Sequence, residues 1–206
     1  DRNQHIWCGS EEGHLVWIKN NQLGILKITD FNLPPVKCLY EDADSTIWIG
    51  TEKGLYKLNS KGVEAITQFS SSVIASISGF RNQVFITSNE WGLAVYRAGK
   101  FYTYDTRLTG IQVQGHFVNS NKEVLAYSSE KGFIKIQGDF IQNIKIPDIH
   151  FNKIYRVFQD VQKTYWIATD SGILKLDSIG YQLFTEKEGL SDNTVYSILQ
   201  DSQNEL

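Results

Sequence analysis

The stretch DADSTIWIGTEKGLYKL, residues 42–58, decides the fold. DADST is rich in Asp and Ser and reads as a turn. IWIGT (47–51) follows, apolar at consecutive rather than alternate positions. TEKG is a second turn, with Gly54 where the backbone needs a positive φ, and LYKL (55–58) returns from it. Upstream, VKCLYE (36–41) reads as another strand; downstream, NSKG turns into VEAITQF (63–69). The unit is therefore four short strands, called a to d, with 47–51 as strand b. A strand that is apolar on both faces must be covered on both.

The same unit recurs along the chain. DRNQHIWCGSEEGHLVWI (1–18), GFRNQVFITSNEWGLAVY (79–96), NSNKEVLAYSSEKGFIKI (119–136) and DVQKTYWIATDSGILKL (160–176) align with it on Trp7, Trp48, Phe85, Leu125 and Trp166. Successive steps are 41, 37, 40 and 41 residues. FYTYD (101–105) and YQLFT (181–185) read as strand d, and VYSILQD (195–201) as a sixth strand a, leading into DSQNEL. Asp1, Asp42, Asp160 and Asp201 stand six residues ahead of the aligned position. A four-strand period of about 40 residues predicts an all-β fold, a β-propeller whose blades cover each other's faces. A helical solenoid fails because no window shows helical periodicity, and a β-helix would have a shorter period. The expected organisation is one propeller region over 1–206, with units near 1–41, 42–78, 79–118, 119–159 and 160–200 and a further unit starting at 201–206.

Composition agrees with a globular β protein. Hydrophobic residues make up 41%, charged residues 21% and aromatics 13%, with 16 Gly against 3 Pro. The net charge is −3 with no basic run, which argues against nucleic acid or an anionic membrane as partner. No apolar stretch is long enough to cross a bilayer as a helix. The chain has no Met and opens on Asp1, which reads as an excised piece of something longer. Either five blades close into a ring, with 195–200 completing the first unit, or they are a slice of a larger, seven-bladed one. The half-finished DSQNEL favours the slice. Cys8 and Cys38 permit one disulfide by arithmetic alone.

Residues 47–58, 165–176 and EGLSDNTVYSILQDSQNEL (188–206) resemble the two-component regulator propeller repeat. Gly189, Leu190, Asn193, Val195, Ile198 and Asp201 fit it in one copy; Asp42, Ile47, Trp48, Ile49, Gly50, Thr51, Gly54 and Leu55 fit it in another. The third and fourth units fit weakly, with Phe85 and Leu125 in place of Trp. The resemblance implies a non-catalytic sensor module from the extracytoplasmic, periplasmic part of a bacterial hybrid two-component receptor, sensing an oligosaccharide and relaying to a histidine kinase. It implies other sensor domains of the same receptor as partners, with a homodimer as one arrangement.

Little else in the sequence suggests chemistry. His5, His14, His116 and His150 form no metal-ligand spacing, and neither a CxxC nor a nucleophile elbow is present. No cofactor, metal or catalytic residue is expected. Asp42-Ala-Asp44-Ser lacks the Gly and distal Glu of a calcium loop. Trp7, Trp48 and Trp166 recur in register, as packing residues do, and Cys8 at the next position reads as a small core residue.

Departures from the repeat are the candidate binding residues. SNEWGL (88–93) alone puts a Trp, Trp91, in a b–c turn, with Asn89 and Glu90 beside it to hydrogen-bond sugar hydroxyls. In strand a, Cys38, Ala75, Gly115 and Ser197 are small where Arg156 is large. Arg156, Tyr155, Gln114, His116 and Tyr196 together suggest a polar, aromatic channel mouth for a carbohydrate or a carboxylate. Two other readings stay open, a protein-docking or dimerisation platform and a propeller enzyme such as a lyase.

Overall fold

A computed structural model describes residues 1–26, 33–104, 108, 111–119, 121–128, 130–144, 146 and 151–201. The described strands make five antiparallel sheets, the architecture of β-propeller blades. The chain divides into two compact units, Asp1–Val118 and Asn119–Leu206.

In the first unit, β1 (Ile6–Gly9), β2 (Leu15–Lys19) and β3 (Gln22–Leu26) pair in that order. Next come β4 (Val36–Glu41), β5 (Ile47–Thr51), β6 (Gly54–Asn59) and β7 (Gly62–Ile66), then β8 (Ile74–Phe80), β9 (Gln83–Ser88), β10 (Gly92–Arg97) and β11 (Lys100–Thr103). β12 (Gly115–Val118) ends the unit and packs on β8 and β9. In the second unit, β13 (Val124–Ser128), β14 (Gly132–Gln137) and β15 (Phe140–Ile144) pair in order. So do β16 (Ile154–Gln159), β17 (Tyr165–Thr169), β18 (Gly172–Leu176) and β19 (Tyr181–Phe184).

The continuous apolar runs are explained by β5. All five of its residues are buried. Ile47 and Ile49 point to one side and pack with Leu15 and Leu33. Trp48 points to the other side and packs with Ile66, Phe69, Ile74, Val84 and Ile86. One strand thus feeds two hydrophobic cores, one on each face of its sheet, as strand alternation requires. β9, β13 and β17 are buried almost throughout in the same way.

Three expectations are corrected. Cys8 is exposed, not a core residue, and Ile6 beside it is 64% exposed. β5 lies between β4 and β6, whereas β1 pairs only with β2 among the described residues. The segment 63–69 is not one strand: β7 stops at Ile66, and Thr67–Phe69 form a 3-10 turn. That turn rolls Phe69 inward until none of it is exposed. Residues 195–200 adopt no strand; Tyr196 and Leu199 are 69% and 79% exposed. Both cysteines are free. The residues 202–206 of the expected sixth repeat lie outside the described residues, as does His150.

Candidate functional site

The turn chemistry of the repeat sets the frame in which the candidate loops sit. The Trp48 indole Nε1 donates to Asp42 Oδ2 at 2.7 Å, and Asp42 Oδ1 accepts from the N–H groups of Asp44 and Thr46. Trp7 donates to Asp1 at 2.9 Å and Trp166 to Asp160 at 2.8 Å in the same way. At the other end of strand b, Thr51 Oγ1 donates to Gly54 O at 2.8 Å and accepts from the Lys53 N–H. Thr169 does the same with Gly172 and Ser171. Hydroxyls therefore close the b–c turns, and side chains at the turn tips are free to vary.

The turn between β9 and β10 uses that freedom. Ser88 Oγ accepts from the Trp91 N–H at 3.1 Å, closing the turn as in the other units. The rest of the loop is pinned to the segment that follows β7. Asn89 N–H donates to Val73 O at 3.2 Å, and Asn89 Oδ1 accepts from the Val73 N–H at 2.8 Å. Ser72 Oγ, fully buried, donates to Glu90 Oε2 at 2.7 Å. The Trp91 indole stacks on Phe69, ring centroids 5.2 Å apart and planes 29° from parallel. The inward roll of Phe69 at the end of β7 is what supplies this platform.

Beside the loop lies a cavity of about 490 Å³. Asn89, Glu90 and Trp91 line it on one side, Thr103, Ile111 and Gln112 on the other. The structure thus brings together the three residues picked out in SNEWGL. Sequence reasoning missed the second wall, 111–113. The repeat has no equivalent for it, because the connection from β11 to β12 is longer than that from β7 to β8.

The five strand-a candidates are not one cluster within either unit. In the first unit, Gln114 is exposed, while His116 is buried at 7% exposure. The His116 ring lies within hydrogen-bond reach of Ser76 (3.0 Å), Ser78 (2.8 Å) and Thr87 (2.7 Å). Burial pushes its pKa down to about 3, so it is neutral. Its hydrogen-bonding capacity is taken up inside the unit, and the ring is closed to solvent. In the second unit, Tyr155 packs on Tyr196, ring centroids 4.8 Å apart, and Arg156 is exposed. The register of β16 on β17 slips between Ile154 and Arg156, making Tyr155 the extra residue of a β-bulge. Lys37 has the same place in β4, where the register slips between Val36 and Cys38, and it reaches Glu52 at 2.7 Å. Apolar patterning gives no warning of a bulge, so these two residues aim where simple alternation would not send them.

A buried polar cluster in the second unit was also missed. Glu123, 8% exposed, accepts from the Tyr165 hydroxyl and pairs with Lys135 Nζ at 3.0 Å. Burial, and then the Glu123 carboxylate, raises the Tyr165 pKa. Among the described residues, no group of three His, Cys, Asp or Glu side chains is gathered to hold a metal ion. No helix is long and apolar enough to cross a membrane.

Residues 30–53, which run through β4 and β5, match the two-component regulator propeller family. That segment carries one copy of the two-component regulator propeller repeat. No curated protein matches it. Among solved structures, the propeller resembles the extracellular domain assigned to a hybrid two-component system of B. thetaiotaomicron, with a TM-score of 0.69 and 13% identity. That match covers 99% of this chain but only 37% of the other, so the chain spans little more than a third of that domain. It also resembles virginiamycin B lyase from Staphylococcus aureus (TM-score 0.72, 15% identity, 89% of this chain and 67% of the lyase). An ancestral GH74 enzyme gives a TM-score of 0.69 at 19% identity, over 94% of this chain and 31% of that one. At these identities the likeness is one of fold.

Proposed function

We propose that this regulator propeller is the non-catalytic, ligand-sensing part of a bacterial signal-transduction receptor. It works on the periplasmic side of the membrane, and its ligand is a carbohydrate. The observation that carries the reading is the cavity beside Trp91. An indole held on one side by Phe69 presents a rigid apolar surface next to polar side chains. That combination suits a sugar, which has apolar C–H faces and a hydroxyl rim. The loop is already pinned by four hydrogen bonds, so little ordering entropy is lost on binding. In the second unit, Tyr155, Arg156 and Tyr196 supply another contact patch. Binding biases the arrangement of the sensor protomers, and through it a kinase output.

A panel of neutral oligosaccharides screened by calorimetry tests the reading. The expected result is a saturable ligand whose affinity falls at least tenfold in Trp91→Ala, with the fold retained by circular dichroism. Unchanged affinity in that variant removes the site. A docking platform is the second reading, favoured by the exposed apolar side chains Val161, Ile179 and Leu199. It requires concentration-dependent dimerisation that substitution of these residues abolishes.

A further inference from the structure

Glu90 is the one charged residue among the described residues that line the Trp91 cavity. Its orientation is fixed, since the buried Ser72 hydroxyl donates to Oε2 at 2.7 Å. A carboxylate only accepts hydrogen bonds. Asn89 lines the cavity beside it: its Oδ1 already accepts from the Val73 N–H, so what its amide has left to offer is chiefly its N–H donors. The two neighbours therefore offer a fixed acceptor carrying negative charge and a fixed donor. A hydroxyl, which both gives and takes a hydrogen bond, satisfies the pair. An ammonium satisfies Glu90 with added Coulomb attraction. A ligand carboxylate meets a like charge and finds no cation among the described lining residues to offset it.

We infer that Glu90 sets the charge class of the ligand, so that the cavity takes an amine-bearing sugar over its neutral counterpart and excludes a sugar acid. The inference rests on the sugar-binding reading of this cavity. Glu90 is a specificity-determining residue here. Its effect comes from the carboxylate that Ser72 holds in place, and its neighbours Asn89 and Trp91 do not discriminate by charge.

The test uses glucosamine, glucose and glucuronate as matched probes of one ring system, titrated at neutral pH while the Trp91 indole N–H resonance is followed by NMR. Two unit charges about 4 Å apart in a water-like medium interact by roughly a fivefold factor in affinity. Glucosamine is therefore expected to bind about fivefold tighter than glucose and glucuronate about fivefold weaker. Both gaps shrink as salt is raised. In Glu90→Gln the three affinities converge on one another. Equal affinities in the unsubstituted protein, or a preference that persists in Glu90→Gln, overturn the charge inference and leave the site standing. No shift of the Trp91 resonance with any of the three overturns the site and the inference together. Should Glu90→Gln loosen the loop, the salt dependence in the unsubstituted protein decides alone, because salt-insensitive affinities defeat the inference.

Discussion

The Trp48 indole N–H reaches back six residues to the Asp42 carboxylate at 2.7 Å, and the relationship recurs wherever the repeat keeps both residues. Trp48 is 1% exposed, so its N–H has no water to turn to. Where the Trp is lost the Asp is lost with it: the third unit has Gly79 with Phe85, and the fourth has Asn119 with Leu125. Asn119 still accepts from the Asn121 and Glu123 N–H groups, keeping the turn while having no indole to serve. The carboxylate thus has two jobs, one on the turn and one on the Trp.

Those two jobs can be separated by mutation. Asp42→Ala strips the acceptor from one buried indole and two backbone N–H groups, and is expected to cost about 3 kcal/mol. Asp42→Asn keeps the turn acceptor and should cost roughly half of that. Combining Asp42→Ala with Trp48→Phe should show a coupling of about 1 kcal/mol or more in a double-mutant cycle from urea melts. Additive losses would mean the Asp–Trp contact contributes nothing of its own.

The residues that carry the fold were readable because packing repeats. The consecutive apolar residues of 47–51 announced a strand buried on both faces, and Ile49 and Trp48 do point into different cores. Gly54 was read as needing a positive φ and has φ 117°. The six-residue Asp–Trp spacing was visible too, but its hydrogen bond was not, since spacing alone does not tell a packing residue from a clamp. The candidate loop was picked out by the opposite logic. Trp91 stood out as a break in the repeat, with Asn89 and Glu90 beside it, and the three line one cavity. Residues 111–113 could not be found that way, because a connection outside the repeat has no sister copies to differ from. His116 was read as part of a polar, aromatic channel mouth formed by strand a. Its partners Ser76, Ser78 and Thr87 come from β8 and β9, a three-dimensional fact that makes it a satisfied interior group.

His116 also gives the protein a pH dependence. Its folded pKa is near 3 against an ordinary value of 6.5. The unfolded chain therefore takes up the proton first as pH falls. Stability from this group is complete above pH 6.5 and declines below it, by about 1.4 kcal/mol per pH unit, down to about pH 3. Urea melts at pH 7 and pH 5 should differ by about 2 kcal/mol on this account. Hydrogen bonds hold the Asp177 and Glu188 carboxyls below the usual carboxylate range, which keeps their titration out of the interval from pH 7 to pH 5. In His116→Gln the slope between pH 7 and 5 should flatten. An unchanged slope would assign the pH dependence to other groups.

Two glycines at positive φ should respond differently to alanine. A Cβ on Gly172, at φ 126°, would sit 2.2 Å from the Phe184 carbonyl oxygen. A Cβ on Gly62, at φ 109°, would meet nothing within 4 Å. Gly62→Ala carries only the left-handed backbone penalty, about 1–2 kcal/mol. Gly172→Ala adds a backbone clash that no rotamer relieves and should lose at least about 3 kcal/mol. Thermal melts of the two variants side by side check the order; equal losses would mean the β17–β18 turn yields freely.

The two cysteines should separate cleanly by reactivity. Cys38 is partly buried, packed against the core beside Gly50, where an added Cβ would come within 2.5 Å of the sulfur, and burial pushes its thiol up to about 12. At pH 8 only about one part in 10⁴ is thiolate, the form that reacts. Cys8 is exposed on β1. A maleimide probe should therefore modify one thiol per folded chain, at Cys8, and the second only when the chain is unfolded in urea. Peptide mapping after native labelling identifies the site. Native labelling at Cys38 would mean that its sulfur is open to the probe in the folded chain.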